Sequence, residues 1–339
     1  MRKKGILLVN LGTPDSPKTA DVRVYLDQFL MDGRVIDINP LGRNLLVRGI
    51  IIPKRAKNSA KTYQEIWTEE GSPLLVYSYA LQNLIAERLG EEYHVELAMR
   101  YQNPSLESSL KKLQELNVDS IKVIPLFPQY ASATTGSIHQ MIMESVSQWQ
   151  IIPPIQFVNN YCDHPGMAKV FAKNAKKYLD AEKWDHVLFS YHGVPQRQMR
   201  KADISKKYCL QVEDCCKNYT DTNKFCYTAQ CYQTTKAIAQ EIGLSKDEYT
   251  LCFQSRLGNE PWMQPYTSTV LKELADKGKK KILVLSPAFV ADCVETIYEI
   301  GVEYQEEFHS YGGERIQMVE SLNADPEWVE ALEDIILNC

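Results

Sequence analysis

The chain has 339 residues, 44% hydrophobic and 24% charged, with a formal net charge of -5; that is room for two domains or one large one, a sizeable core, and no basic face for nucleic acid. No apolar run approaches the roughly 20 residues of a membrane span, and the stretch after Met1-Arg2-Lys3-Lys4-Gly5 is too short for a signal-peptide core with its cleavage site. The chain therefore reads as cytoplasmic, and its nine cysteines as thiols or metal ligands rather than disulfides.

Apolar runs of strand length fall at residues 5–10, 94–101, 120–127, 155–159, 186–191, 249–254, 281–287 and 316–319. Stretches with helical spacing, such as 104–116 and 167–179, lie between them. The alternation predicts an α/β fold of open, mostly parallel sheets covered by helices, with ligands at the carboxyl ends of strands. A weak internal echo points to two similar halves. Lys122-Val-Ile-Pro-Leu-Phe-Pro128 and Lys281-Ile-Leu-Val-Leu-Ser-Pro-Ala-Phe289 each run through a loop into a helix, from Ser137 and from near Asp292, although any βα unit shares that outline. Two stretches break the rhythm: 39–72, mixing Arg and Lys with aliphatics, and 201–227, polar and holding four cysteines. Both exceed the usual connection of about 4–6 residues, as lids, binding loops and inserted sites do.

Three stretches carry chemistry. Phe189-Ser-Tyr-His-Gly-Val-Pro-Gln-Arg197 ends a strand and presents His192 at its carboxyl end; Gly193 allows a sharp turn and Pro195 stops the strand. Imidazole titrates near pH ~6.5 and can exchange a proton at neutral pH, but a capping or packing histidine fits the same pattern. In Asp292-Cys-Val-Glu-Thr-Ile-Tyr-Glu-Ile-Gly-Val-Glu303, Glu295, Glu299 and Glu303 recur every four residues with no Lys or Arg among them. Exposed like charges at that spacing repel by a few tenths of a kcal/mol. On an α-helix they form a slowly drifting stripe, which a π-type widening would bring nearer to a line. This is either a solvated acidic face or a hydrated carboxylate track for protons or a hard divalent cation. Gln254-Ser-Arg-Leu-Gly-Asn-Glu-Pro-Trp-Met-Gln-Pro-Tyr266 reads as a rigid loop beside a flat apolar ligand, or as an ordered loop with Trp262 in the core. Asn10-Leu-Gly-Thr-Pro14 and Arg100-Tyr-Gln-Asn-Pro104 are similar strand-end loops, and no GxGxxG or Walker pattern occurs.

Taken together, Asn10-Leu-Gly-Thr-Pro14, Glu70-Gly-Ser-Pro-Leu74, Pro125-Leu-Phe-Pro-Gln-Tyr130, Ser190-Tyr-His-Gly-Val-Pro195, Gln254-Ser-Arg-Leu-Gly258 with Pro261-Trp262, and Ala291-Asp-Cys-Val-Glu-Thr296 resemble the successive signatures of ferrochelatases, in order and across nearly the whole chain. The resemblance implies two Rossmann-like domains with parallel sheets and a porphyrin cleft between them. The first would take residues 1–150, with a pocket lip at 39–72, and be joined by the C-terminal segment 310–339. The second would take 151–309, with the cysteine-rich insert at 201–227. The implied reaction inserts Fe2+ into protoporphyrin IX to form protoheme, the final step of heme biosynthesis. A coproporphyrin-using or other metal chelatase is the alternative enzyme, and a porphyrin or iron carrier the alternative of another class.

By the same resemblance His192 is the base or first metal contact and Glu295 its partner carboxylate, each at a strand end of its own half. Glu299 and Glu303 continue an acidic line for the metal or the protons. Leu11, Arg100, Tyr101, Tyr130 and Trp262 hold the porphyrin. In the lip, Leu45, Leu46, Ile50, Ile51 and Ile52 cover a porphyrin face, while Arg43, Arg48, Lys54 and Arg55 suit propionates or anionic lipid heads, making peripheral membrane contact through the lip an expectation.

The sequence departs from the family after the His-Gly-x-Pro motif. Members commonly carry a short Gly-Asp-x-Tyr segment; here 201–227 replaces it and adds Cys209, Cys215, Cys216 and Cys226, with Cys231 just after. Four thiols are what a [2Fe–2S] centre needs; zinc or uncoordinated thiols are the alternatives. Bound thiolates would explain how so polar an insert stays ordered. Cys231 could replace one ligand, since the adjacent Cys215 and Cys216 reach one cluster together only with strain. Cys162, Cys252, Cys293 and Cys339 read as packing or incidental residues.

Overall fold

The computed structural model describes residues 3–256, 258 and 260–339; Met1 and Arg2, and Leu257 and Asn259 of the loop after Gln254, lie outside the described residues. A strand forms at each of the eight apolar runs: β1 (Lys4–Gly12), β2 (Tyr93–Tyr101), β3 (Ser120–Pro125), β4 (Ile155–Phe157), β5 (His186–His192), β6 (Tyr249–Gln254), β7 (Lys281–Leu285) and β8 (Arg315–Met318). They build two four-stranded sheets, β2-β1-β3-β4 and β6-β5-β7-β8, with every pairing parallel. Ile6, Leu7, Leu8 and Val9 of β1 are buried, as are Val187, Leu188 and Phe189 of β5, because a central parallel strand has helices on both faces.

The two sheets have the same order, so the echo read from the sequence extends to topology. It goes further: β3 is followed by a π-helical segment, Ser132–Gly136, running into the α-helix Ser137–Val146, and β7 by a π-helical segment, Glu295–Tyr304, running into the α-helix Gln305–Ser310.

The chain divides into two compact units. The first takes the described residues up to Phe127, then Ala131–Asn160 and Leu332–Cys339; the second takes Pro128–Tyr130 and Tyr161–Ala331. These limits differ from 150 and 310. β4 pairs with β3 and keeps its residues in the first unit, whereas β8 pairs with β7 and keeps 310–331 in the second. Only the end of the helix Pro326–Asn338 returns to the first unit, where Lys122 Nζ donates to Ile336 O at 2.6 Å and to Cys339 O at 2.9 Å.

Residues 39–72 are helical for most of their length: Pro40–Leu46, a π-helical segment Val47–Ile51, and Ile52–Ile66. The aliphatics there divide. Leu41, Leu45 and Ile50 are exposed, but Ile52 is buried with Val47 against Leu30 and Ile36, and Ile51 packs beside them. Ile52 therefore anchors the segment and is not available to cover a ligand face, while Ile51 is only partly buried. No helix among the described residues is long and apolar enough to cross a membrane.

Gly12 closes β1 opposite Tyr101 with φ at 113°, and a Cβ there would stand 1.9 Å from the Tyr101 carbonyl oxygen. Backbone, not a flexible side chain, blocks it. Gly12→Ala should cost at least about 2 kcal/mol, read as a lower urea midpoint at unchanged slope.

Candidate functional site

In a sheet of order 2-1-3-4 the connections leave the first strand toward opposite sides, opening a crevice at the carboxyl ends of the first and third strands. In the second unit these are β5 and β7. His192 is the last residue of β5 and half-buried. The turn after it is tight: Gly193 N donates to Gln254 O at 2.8 Å, and a Cβ on Gly193 would lie 2.8 Å from that oxygen and 3.1 Å from Trp262 Cε3. Trp262 is buried against this turn, with Pro195 bridged to it and Met263 N donating to Val194 O at 3.0 Å. Two bonds orient His192. Tyr227 Oη donates to its carbonyl at 2.8 Å, and its Nδ1 lies 2.7 Å from Gly193 O. A carbonyl only accepts, so the neutral ring carries its proton on Nδ1 and its lone pair on Nε2.

The glutamates enter from the other side of the crevice, after β7. Asp292 sets the helix start: Oδ1 accepts from Thr296 Oγ1 and Ser321 N, both at 3.1 Å, and Oδ2 from Asn323 Nδ2 at 2.8 Å. Glu295, Glu299 and Glu303 all lie in the π-helical segment. Burial raises the Glu295 carboxyl above its ordinary value; a hydrogen bond with Cys293 and the charge of His192 oppose this, and the charge of Glu299 adds to it. His192 and Glu295 thus stand within electrostatic reach, and both belong to the second unit. The expectation of one in each half is overturned, because β5 and β7 are neighbours in one sheet. Glu299 is half-buried, Glu303 is exposed, and the stripe runs outward.

Other expected ligand residues lie in both units. Leu11, half-buried near the end of β1, donates its N–H to Asn10 Oδ1 at 2.9 Å. Arg100 and Tyr101 end β2, and both bond a residue that sequence reasoning missed. Asp32 Oδ2 accepts from Arg100 Nη2 at 2.6 Å, from Tyr101 Oη at 2.9 Å and from Ser137 Oγ. Burial would raise the Asp32 carboxyl, but the Ser137 and Arg34 N–H hydrogen bonds and the Arg100 charge outweigh it and hold it below its ordinary value. Arg100 Nε also donates to Ser137 Oγ at 2.6 Å, so two of the three guanidinium nitrogens are engaged. The signal for Asp32 was faint: a carboxylate just past a helix, 68 and 69 positions from Arg100 and Tyr101 and 105 from Ser137. Tyr130 belongs to the second unit, where its N–H donates to Gln230 Oε1 at 2.6 Å.

The cysteine insert orders itself through its own polar groups. Asp203 Oδ2 accepts from Tyr208 N at 3.0 Å and Cys209 N at 2.9 Å; Asn223 Nδ2 donates to Cys215 O at 2.8 Å and Asn218 O at 2.7 Å. Cys209, Cys215 and Cys216 are buried and Cys226 is half-buried. The Cys215 and Cys216 sulfurs lie 3.5 Å apart, so the adjacent pair does face one side. A hydrogen bond from Cys216 draws the Cys226 thiol down to about 7, aided by the Ala229 and Thr228 N–H groups at the start of the helix Tyr227–Ile242. Cys231 is fully buried one turn further on, its thiol against the Tyr227 hydroxyl. Among the described residues no group of three or more His, Cys, Asp or Glu side chains is set to hold a metal ion, and no disulfide joins the buried cysteines.

The raised Glu295 carboxyl has a consequence for stability. The native chain keeps this proton to a higher pH than the unfolded chain, whose glutamates titrate near ~4.3. Native stability therefore falls as pH rises from that value through the raised native one. Glu295→Gln removes the effect, so its melting temperature should exceed wild type at neutral pH, the gap closing as the buffer is taken down to pH ~4. A constant difference at all pH would show that Glu295 is not held in its neutral form.

A family model described as Ferrochelatase matches residues 3–338. A ferrochelatase of Legionella pneumophila (strain Lens) is 42% identical over 334 residues, 98% of each chain. One of Coxiella burnetii (strain Dugway 5J108-111) is 42% identical over 97% of this chain and 92% of its own, and one of Bdellovibrio bacteriovorus is 40% identical over 99% of both. Among solved structures, SirB from Bacillus subtilis with Fe3+ aligns with TM-score 0.54 at 12% identity, covering 99% of this chain and 96% of that one, a likeness of fold. With a family match over nearly its whole length and relatives at this identity, the chain belongs to the ferrochelatase family.

Proposed function

We propose that this chain inserts Fe2+ into protoporphyrin IX, releasing two protons and forming protoheme, the closing step of heme biosynthesis. The observation that carries the reading is one pairing: an imidazole whose Nε2 keeps its lone pair, within electrostatic reach of a carboxyl whose burial favours the protonated form. Each pyrrole N–H must lose its proton as a nitrogen–iron bond forms. His192 Nε2 takes such a proton, Glu295 exchanges with it, and Glu299 and Glu303 pass charge outward to water. Leu11, Arg100, Tyr101, Tyr130 and Trp262 hold the macrocycle; Arg100, tied to Asp32, acts as part of a rigid wall.

Of Arg43, Arg48, Lys54 and Arg55 in the lip, Arg48 is paired with Asp27 through two bonds of 2.6 and 2.8 Å, and Arg43 Nη1 donates to Ile36 O at 3.1 Å. Lys54 and Arg55, which form no ion pair among the described residues, suit the propionates or anionic lipid. The exposed Leu41, Leu45 and Ile50 make the lip the peripheral membrane contact of a cytoplasmic protein. Buried cysteines without a disulfide between them suit a reducing compartment.

Cys209, Cys215, Cys216 and Cys226 hold a [2Fe–2S] cluster in this reading. Cys215, Cys216 and Cys226 share one cluster, Cys209 lies within electrostatic reach of Cys215 and Cys226, and the Cys226 thiol is lowered at a helix start; these support it. A bound cluster supplies a redox-sensitive centre, and no step of the metal insertion passes through it.

Anaerobic assay with Fe2+ should quench protoporphyrin IX fluorescence, and His192→Ala should slow this by at least about 10²-fold while leaving porphyrin binding intact. A wild-type chain that binds protoporphyrin without metallating it would leave a carrier; one that metallates only coproporphyrin would change the substrate. Protein purified anaerobically should be brown, with visible absorption and acid-labile sulfide, both lost in Cys226→Ser; colourless protein with bound zinc would replace the cluster.

A further inference from the structure

Gln254 lies opposite His192 in the last rung of β5 and β6 and is 1% exposed. A buried primary amide has two donor hydrogens and an acceptor to satisfy. Its Oε1 accepts from Ser190 Oγ at 2.7 Å; its Nε2 donates to Glu295 O and to Glu299 Oε2, both at 3.0 Å. Both partners of Nε2 can only accept, so the amide has one orientation: turned over, its oxygen would face a carbonyl and a carboxylate. Ser190 is buried in turn, sharing a hydrogen bond of 3.1 Å with Thr267 Oγ1. The backbone carbonyl of Gln254 accepts from Gly193 N at 2.8 Å. One residue thus grips the chain on both sides of His192, through Ser190 and Gly193, while its side chain holds the start of the π-helix.

Glu299 is fixed by two further donors. Ser255 Oγ reaches Oε2 at 2.5 Å from a left-handed backbone (φ 63°), unfavourable for serine, and Tyr304 Oη reaches Oε1 at 3.2 Å. All three donors are neutral, so the carboxylate is held still without its charge being cancelled. We propose that Gln254 is a positioning residue for metal insertion, setting Glu299 and the backbone of Glu295 at a fixed distance from His192. The proposal rests on the iron-insertion reading above. Gln254 itself touches neither metal nor porphyrin; it acts through the glutamates.

Gln254→Met keeps the side chain's length and removes the three side-chain hydrogen bonds. In steady-state Fe2+ insertion by the full chain, kcat should fall about tenfold to a hundredfold and KM for Fe2+ rise several-fold, with KM for protoporphyrin IX within about twofold of wild type. A merely structural role would move both KM values and the melting temperature together. Added to Glu299→Gln, the same substitution should cost less than about threefold more, because the positioned charge is already gone. Unchanged kcat and KM for Fe2+ in a folded variant, or losses that multiply in the double variant, overturn the proposal. Gln254→Glu keeps the size and the bond from Ser190 but sets an oxygen against Glu299; it should raise KM for Fe2+ at least as much, and a wild-type value there overturns the proposal even where the Met variant does not fold. A wild-type chain inactive with Fe2+ and protoporphyrin overturns the iron-insertion reading instead, before any variant is made.

Discussion

A parallel strand walled in on both faces can offer polar chemistry only at its end. β1 and β5 are such strands, and the two sheets share one order, so each unit has one crevice at the carboxyl ends of its first and third strands. What stands at those ends follows from this constraint. In the second unit β5 delivers His192, the segment after β7 delivers Glu295, and β6 delivers Gln254 beside them. In the first unit β1 delivers Leu11 and β2 delivers Arg100 and Tyr101.

Two half-hidden carboxyls show how the same cost of burial is settled in opposite ways. Asp32 receives an arginine, a phenol, a hydroxyl and a backbone N–H, and its carboxylate is favoured despite desolvation. Its effect is rigidity: Arg100, Tyr101 and Ser137 are bound to one point. Glu295 has a neighbouring imidazole and faces a second carboxylate; desolvation dominates, and its carboxyl is shifted above its ordinary value. A carboxyl that gives up its proton reluctantly, next to a base, is what proton exchange near neutral pH requires. The partners supplied to each thus move the two carboxyls in opposite directions.

The insert follows a third logic. Asp203 accepts from the Tyr208 and Cys209 N–H groups and Asn223 donates to the Cys215 and Asn218 carbonyls, around a small cluster of Cys215, Cys216 and Ala229 with Tyr208, Tyr219, Cys226 and Tyr232 packed against it. Its last cysteine caps the helix whose first residue, Tyr227, bonds the His192 carbonyl. The insert is thus continuous, through two adjacent residues, with the strand end that carries the imidazole.

Much of this was readable in the residues alone. Strand positions were legible because fully buried parallel strands are unbroken apolar runs, and the strand-end position of His192 and the spacing of Glu295, Glu299 and Glu303 on one helical segment were legible because such patterns are local. Family membership was legible because its motifs are short and ordered. Tertiary structure alone decided which unit His192 and Glu295 share, since sheet order is a property of pairing and not of sequence distance. It also decided that Ile52 packs inward while Leu45 and Ile50 do not, that Asp32 ties down Arg100 and Tyr101, and that Gln254 joins both sides of His192 to the glutamates. Each of these is a contact between residues that are not neighbours in the sequence. No local pattern records such a contact; it exists only once the strands have paired and the buried polar groups have had to find their partners.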